Sequence, residues 1–265
     1  MKYQPLYEAL LELMRQAGDI MLSAHNIDND NDVTVKPGSA NFVTVFDVRV
    51  QDFLMSGIQK LFPDAVFIAE EKENDPAVLA ADHCFIIDPI DGTTNFICDY
   101  RSSAISLALF SKGMAVFGAI YNPYLDELFT AERGKGAFCN GKPIGVSARP
   151  LDRALVAFGT APYYKERLAD RSFTLGKKLF LACSDIRRGG SAALALAYVA
   201  AGRIDIFFEF HLSPWDIAAG SLLIAEAGGM ISDMSGNPLD FASSADVLAT
   251  SQVVYEQALA IVKDF

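Results

Sequence analysis

Two aspartates three residues apart close the apolar run FIIDPIDGTTNF, Phe85 to Phe96. Asp88 and Asp91, with Glu70 and Glu71 upstream, all fall at the ends of predicted strands, where α/β proteins collect their ligand sites. One acid at a strand end is usually a solvated turn residue; several at adjacent ends are harder to explain that way. Asp88 precedes Pro89, and a residue before proline avoids the right-handed helical region, so its carboxylate is held on a stiff turn. Ile90 is wedged between the aspartates with its carbonyl open to a ligand. The DGTTN that follows reads as the first turn of a helix. Gly92 there lets backbone approach a ligand closely, and the free N–H groups of the turn form an anion site. A phosphate beside carboxylates is repelled unless divalent cations lie between them. A hard cation that takes oxygen ligands, keeps several waters and shares phosphate oxygens is Mg²⁺. The carboxylates therefore hold metal at the base of a cleft, and the metal holds phosphate.

Other motifs have an ordinary reading beside a functional one. In SPWDIAAG, Ser213, Pro214 and Asp216 form a normal helix start. TVFD has the same spacing, with Thr44 as cap and Asp47 three residues on. Both roles are compatible, because an acid at a helix start is fixed and accessible. GAFCNGKP, Gly136 to Pro143, matches the spacing of a phosphate loop. Pro143 replaces its hydroxyl residue, however, and Asn140-Gly141 reads as a hairpin turn. GGSAA around Ser191 resembles a nucleophile elbow without its last glycine, with His211 as a conceivable partner. His25, His83 and His211 show no metal spacing. The polar loop HNIDNDND has alternate acids like a calcium loop, but Val33 stands where that loop needs glycine.

Around these residues the chain alternates helices and strands. Leu6, Leu10, Leu13, Met14, Ala17, Ile20 and Met21 share a helical face, which predicts a helix over 5–23. Val50, Phe53, Leu54, Gly57, Ile58 and Leu61 predict a second. AVFIA, CFII ending at Asp88, AISLALF, AVFGAIY and ELFTAE read as strands, followed by a hairpin in GAFCNGKPIGV. From Leu151 the pattern shifts to strands ALVAF and IDIFFEF, and to helices SAALALAYVAAG and WDIAAGSLLIAEAGG that stop at glycine. VLAT is a last strand before a C-terminal helix. This predicts a mixed α/β fold in two closely joined halves, 1–150 with most of the metal ligands and 151–265.

At 265 residues the chain can bury a sizeable core. Its net charge of −11 gives no general attraction for nucleic acid or an anionic membrane, so an anionic substrate needs a local attractor. No apolar run approaches the ~18 residues of a membrane helix, and the N-terminus lacks a signal-type core. These features predict a cytoplasmic protein with no nucleic-acid or membrane partner. The four cysteines, Cys84, Cys98, Cys139 and Cys183, lie far apart and read as reduced, mostly buried thiols.

DPIDGTTNF, the AEE before it and PWDIAAGSLLIAEAGG downstream resemble the inositol monophosphatase family of Mg²⁺-dependent, lithium-sensitive phosphomonoesterases. So do VKPGSANFVTVFDVRVQ, AFCNGKPIGVS and GGSAALALAYVAAGRIDIFFE, so the resemblance covers nearly the whole chain; its bacterial inositol-1-monophosphatase branch is the best match. It implies an αβαβα sandwich, commonly dimeric. It implies one metal at Glu70, Asp88 and the Ile90 carbonyl, a second at Asp88, Asp91 and Asp216, and a weaker third near Glu70. It implies phosphate binding by the Asp91, Gly92 and Thr93 amides, and water positioning by Thr93 hydrogen-bonded to Asp47. Glu209 matches the acid that binds substrate hydroxyls, and Gly190, Ser191 and Ala192 the turn that lines the substrate; Lys36 matches a loop lysine. Asn41 and Cys98 depart from the family's usual aspartate and histidine, and neither is a ligand in this scheme.

The expected reaction is hydrolysis of a phosphomonoester by metal-activated water, with myo-inositol monophosphate as substrate. Fructose-1,6-bisphosphate, histidinol phosphate, NADP and 3′-phosphoadenosine 5′-phosphate are the alternatives. The rival from another class is a silent metal- or phosphate-binding module acting through a partner protein. The complete set of acids argues against it, as does Thr93.

Overall fold

A computed structural model describes residues 4–24, 27, 31–36 and 42–265. His25, most of the calcium-like loop and Asn41 therefore lie outside the described residues. The helices are α1 (Gln4–Leu22), α2 (Val45–Leu61), α3 (Thr93–Ile97), α4 (Lys165–Phe180), α5 (Ala192–Ala200), α6 (Pro214–Glu226) and α7 (Tyr255–Lys263). The first strands are β1 (Val33–Val35), β2 (Phe42–Thr44), β3 (Val66–Ala69), β4 (Cys84–Asp91), β5 (Ala104–Ser111), β6 (Met114–Asn122) and β7 (Glu127–Glu132). They are followed by β8 (Ala137–Cys139), β9 (Lys142–Ile144), β10 (Leu155–Phe158), β11 (Asp185–Arg187), β12 (Ile206–Leu212), β13 (Met230–Asp233) and β14 (Ala245–Thr250).

Strands β3 to β9 form one sheet in chain order; a second sheet runs β11-β10-β12-β14-β13. The layering follows from which faces are apolar. Leu10, Met14, Ala17 and Met21 of α1, with Val50, Leu54 and Ile58 of α2, recur at helical spacing and cover one face of the first sheet. Helices α5 and α6 are apolar nearly all round, as a layer between two sheets requires, and pack in the core those sheets share. The outer face of the second sheet is closed by α4 and α7 through Leu168, Leu175, Leu179, Ala258 and Val262. The result is an αβαβα sandwich. Among the described residues no helix is long and apolar enough to cross a membrane.

Three expectations need correction. Strand β4 does not end at Asp88 but runs on to Asp91. It can do so because the pairing with β5 slips between Asp88–Ser106 and Asp91–Ala104. Pro89, which has no N–H to give a ladder, sits in that bulge. Helix α4 has no counterpart in the sequence reading. The cysteines are free as expected, but only Cys84 is buried and Cys98 is exposed. Asn140-Gly141 does lie at a turn, between β8 and β9, so the phosphate-loop spacing there is a hairpin.

Candidate active site

Two bulged strands, one from each sheet, deliver the acids. In β4 the bulge separates Asp88 from Asp91. In β12 the pairing slips between Glu209 and Leu212, with His211 at φ +60°, so the chain turns from Glu209 towards Asp216 at the start of α6. Bulges are common beside active sites because they re-aim side chains. One carboxylate oxygen each from Asp88, Asp91 and Asp216 lies within 4.8 Å of the others. Among the described residues no other trio of histidine, cysteine or acid does so. All three line a cavity of about 390 Å³, with Lys36, Glu70, Ile90, Gly92, Thr93, Tyr163 and Glu209.

Each of these acids is fixed by its own hydrogen bonds. The Ile90 N–H donates to Asp88 Oδ1 at 3.0 Å, a bond that reaches across Pro89. Asp91 Oδ2 accepts from the Ser191 hydroxyl and from the Ala193 N–H, the latter at 2.7 Å. Asp216 Oδ2 accepts from the Ser213 N–H at 2.6 Å, closing a capping box. Asp47 does the same at α2, where its Oδ2 accepts from the Thr44 N–H at 2.7 Å. The ordinary helix-cap reading of both acids therefore holds, and it leaves Asp216 lining the cavity and Asp47 beside Thr93. Asp47 Oδ1 faces the Thr93 hydroxyl at 3.4 Å, and that hydroxyl is 3.2 Å from the Ile90 carbonyl.

Electrostatics mark the cluster. Burial, then the charges of Glu70, Asp91 and Asp216, raise the Asp88 carboxyl well above the ordinary range. Burial, then Asp91 and Glu70, do the same to Asp216. Glu70 is pushed up to about 8 by burial, against the pull of Lys36. Asp91 rises to about 6 through burial, opposed by its bonds from Ser191, Ala193 and Ala192. Asp47 rises to about 6, again through burial, opposed by Thr44. Lys36 Nζ is 2.6 Å from Glu71 and 3.7 Å from Glu70, which is not one of the close trio. Buried acids this close repel one another, and a hard divalent cation is the natural relief.

Elsewhere in the lining, burial lifts Glu209 to about 7. The Ala161 N–H donates to its Oε1 at 3.0 Å. Gly159 is needed beside it, since a Cβ there would lie 1.8 Å from the carboxylate. Gly190, Ser191 and Ala192 line the cavity with Glu209. Gly92 has φ +92°, and an added Cβ would be 3.1 Å from the Gly190 carbonyl oxygen, so this turn accepts only glycine without strain.

The sequence-predicted residues therefore converge on one cleft, apart from Asp47, which reaches it through Thr93, and Glu71, which pairs with Lys36. The Ser191 hydroxyl caps α5 and donates to Asp91, so it is not a nucleophile aimed at His211; the His211 ring packs edge-on against Tyr164 at 4.2 Å. His83 is an outlying residue bonded to Asp64. Sequence reasoning missed Tyr163, whose phenol pKa is raised first by burial and then by the acids. It also missed Arg188 at the mouth. Tyr163 follows the end of β10, which pairs in parallel with β12. The rule that ligands gather at strand ends could have found it.

The model of the inositol monophosphatase family matches residues 2–264. An inositol-1-monophosphatase of Mesorhizobium japonicum is 40% identical over 264 residues, covering 96% of each chain. The Nus factor SuhB of Escherichia coli is 38% identical over 261 residues, covering 98% of this chain and 96% of its own. The solved structure of a Thermotoga maritima IMPase superposes with a TM-score of 0.87 at 33% identity, covering 98% of this chain and 97% of that one.

Proposed function

As the chain belongs to the inositol monophosphatase family, we propose that it is a Mg²⁺-dependent phosphomonoesterase that converts myo-inositol monophosphate to inositol and phosphate. The observation that carries this reading is the close approach of Asp88, Asp91 and Asp216 in a cleft that also holds Thr93. The donors suit the metal: they are carboxylates and a carbonyl, hard oxygen ligands, and burial followed by mutual repulsion raises the carboxyls of Asp88 and Asp216. Glu70, Asp88 and the Ile90 carbonyl would hold one ion, Asp88, Asp91 and Asp216 a second, and Glu70 would lie near a weaker third. Mg²⁺ bound there supplies water activation and neutralises charge on the phosphoryl and leaving oxygens.

The chain's own residues do the rest. Asp47 Oδ2 is occupied by Thr44, which leaves Oδ1 to receive a proton. Thr93 orients the attacking water and passes its proton to that oxygen. With a pKa of about 6, Asp47 is ionised near neutral pH and close to the value that suits a general base. The amides of Asp91, Gly92 and Thr93 bind phosphoryl oxygens as charge builds on them. Glu209 Oε1 is held by Ala161, leaving Oε2 for a hydroxyl of the polyol, with Gly190, Ser191 and Ala192 forming the wall beside it and Asp216 below.

Several relatives, that of Escherichia coli among them, bear the name of a Nus factor and not of an enzyme. That favours a second reading, a metal- and phosphate-binding module acting through a partner. Turnover separates the two. Phosphate release should be measured from myo-inositol 1-phosphate, fructose-1,6-bisphosphate, histidinol phosphate, NADP and 3′-phosphoadenosine 5′-phosphate, with and without Mg²⁺ and with added Li⁺. Mg²⁺-dependent, Li⁺-inhibited release led by inositol phosphate is the expected result. A different leading ester would replace the substrate and keep the chemistry. Mg²⁺ binding without release from any ester would favour the module. A homodimer is also proposed, and light scattering of the purified chain tests it.

A further inference from the structure

The segment that carries the acids also carries a carboxamide with no part in the chemistry above. Asn95 is buried, three residues after Gly92. Its Nδ2 donates to the Ser102 carbonyl at 2.7 Å and to the Gly189 carbonyl at 2.8 Å. Both partners are carbonyl oxygens, which only accept, so the network itself fixes which way the amide points. Both amide hydrogens are used. Ser102 is followed by Ser103, whose hydroxyl donates to the Gly92 carbonyl at 2.9 Å. Gly189 lies 94 residues further along the chain than Asn95 and immediately precedes Gly190. One side chain thus ties the turn at Gly92 to a loop beside it and to a turn from the other sheet.

The contact is tight. A Cβ on Gly190 would lie 2.9 Å from Asn95 Nδ2 and 3.0 Å from its Oδ1. Downstream, the same turn is anchored where Asp91 accepts from Ser191 and Ala193. Upstream, Arg188 and Gly189 are exposed, and the bond from Asn95 is what joins that end to the acid-bearing segment.

We propose that Asn95 is a positioning residue that sets the separation between the turn receiving the phosphoryl group, Asp91 to Thr93, and the turn facing the leaving group, Gly190 to Ala192. This rests on the phosphatase reading above. A polyol ester must touch both turns at once, so its binding depends on their separation. An ester whose leaving group has no hydroxyls depends on the first turn alone. Loss of Asn95 therefore weakens binding of the first ester more than that of the second.

The test uses Asn95→Asp, which keeps the size but sets acceptors against two carbonyls, and Asn95→Ser, which is read in its place should Asn95→Asp fail to fold. Steady-state kinetics with Mg²⁺ are measured on myo-inositol 1-phosphate and on p-nitrophenyl phosphate. Backbone hydrogen exchange is followed at 188–193 and in β4. The expected result is a KM for the inositol ester raised about tenfold, with that for p-nitrophenyl phosphate within about twofold. Faster exchange at 188–193 with unchanged exchange in β4 should accompany it. Equal losses on both esters, or unchanged exchange at 188–193, would overturn the positioning role, because a merely structural asparagine would lower activity on both alike. A wild type inert on both esters and on the other phosphomonoesters named above would instead overturn the phosphatase reading, and the role of Asn95 in catalysis with it.

Discussion

At the scale of single residues, the proposed mechanism divides the site into groups that bind and groups that act on the proton. Thr93→Ala removes the hydroxyl between the cleft and Asp47 while leaving the acids in place. Its kcat should fall about 100-fold with KM nearly unchanged, since water positioning matters in the transition state; steady-state kinetics check this, and a change confined to KM would count against the role. Gly92→Ala forces a Cβ into a left-handed position against the Gly190 carbonyl. It should cost about 1–3 kcal/mol, seen as a drop of several degrees in Tm, and also reduce activity. The acids were legible because proline spacing and strand ends constrain where a carboxylate can point. Asn95 was visible within DGTTN, but nothing local says that its partners are Ser102 and Gly189. Tyr163 was missed because its importance comes from the tertiary position of β10, and APYY has no period of its own.

At the scale of elements, the amphipathic helices α1 and α2 and the antiparallel strands β5 to β7 were read correctly, because period and turn chemistry agreed. Helix α4 was not read, although its buried residues Leu168, Ser172, Leu175 and Leu179 keep helical spacing. Charged residues fill its other face, and Ser172 and Gly176 interrupt the apolar stripe, so the pattern is thin until the sheet beneath is known. Leu175→Ala tests whether α4 is a true layer of the fold. Leu175 is fully buried in the outer core, and the substitution should cost about 2–5 kcal/mol in denaturant unfolding while kcat and KM of the folded enzyme stay unchanged. The end of β4 was misplaced for an instructive reason: proline normally ends a central strand, and only a bulge lets this one continue through Asp88-Pro89.

At the scale of the whole molecule, the sandwich gathers acids from both sheets and holds them against their mutual repulsion. Glu70 at about 8, Glu209 at about 7 and Asp47 and Asp91 at about 6 all lie above the ordinary carboxylate range near 4. Between those values the native state binds more protons than the unfolded state. Metal-free stability should therefore fall as pH rises from about 4 to about 8. Mg²⁺ competes with those protons, so the rise in Tm that it gives should grow from pH about 5.5 to about 8; thermal unfolding with and without Mg²⁺ checks both trends. The two-sheet architecture could be anticipated only as mixed α/β layers from residue patterns, because periodicity shows which face of an element is apolar and not which neighbour covers it. The central claim is that the Asp88 cluster makes this chain a Mg²⁺-dependent phosphatase. The most direct test titrates Mg²⁺ against phosphate release from myo-inositol 1-phosphate by the wild type and by Asp88→Asn. A saturable Mg²⁺ requirement in the wild type, with kcat/KM at least about 1,000-fold lower in a folded Asp88→Asn, is the predicted result. Wild-type turnover by Asp88→Asn at saturating Mg²⁺ would contradict it.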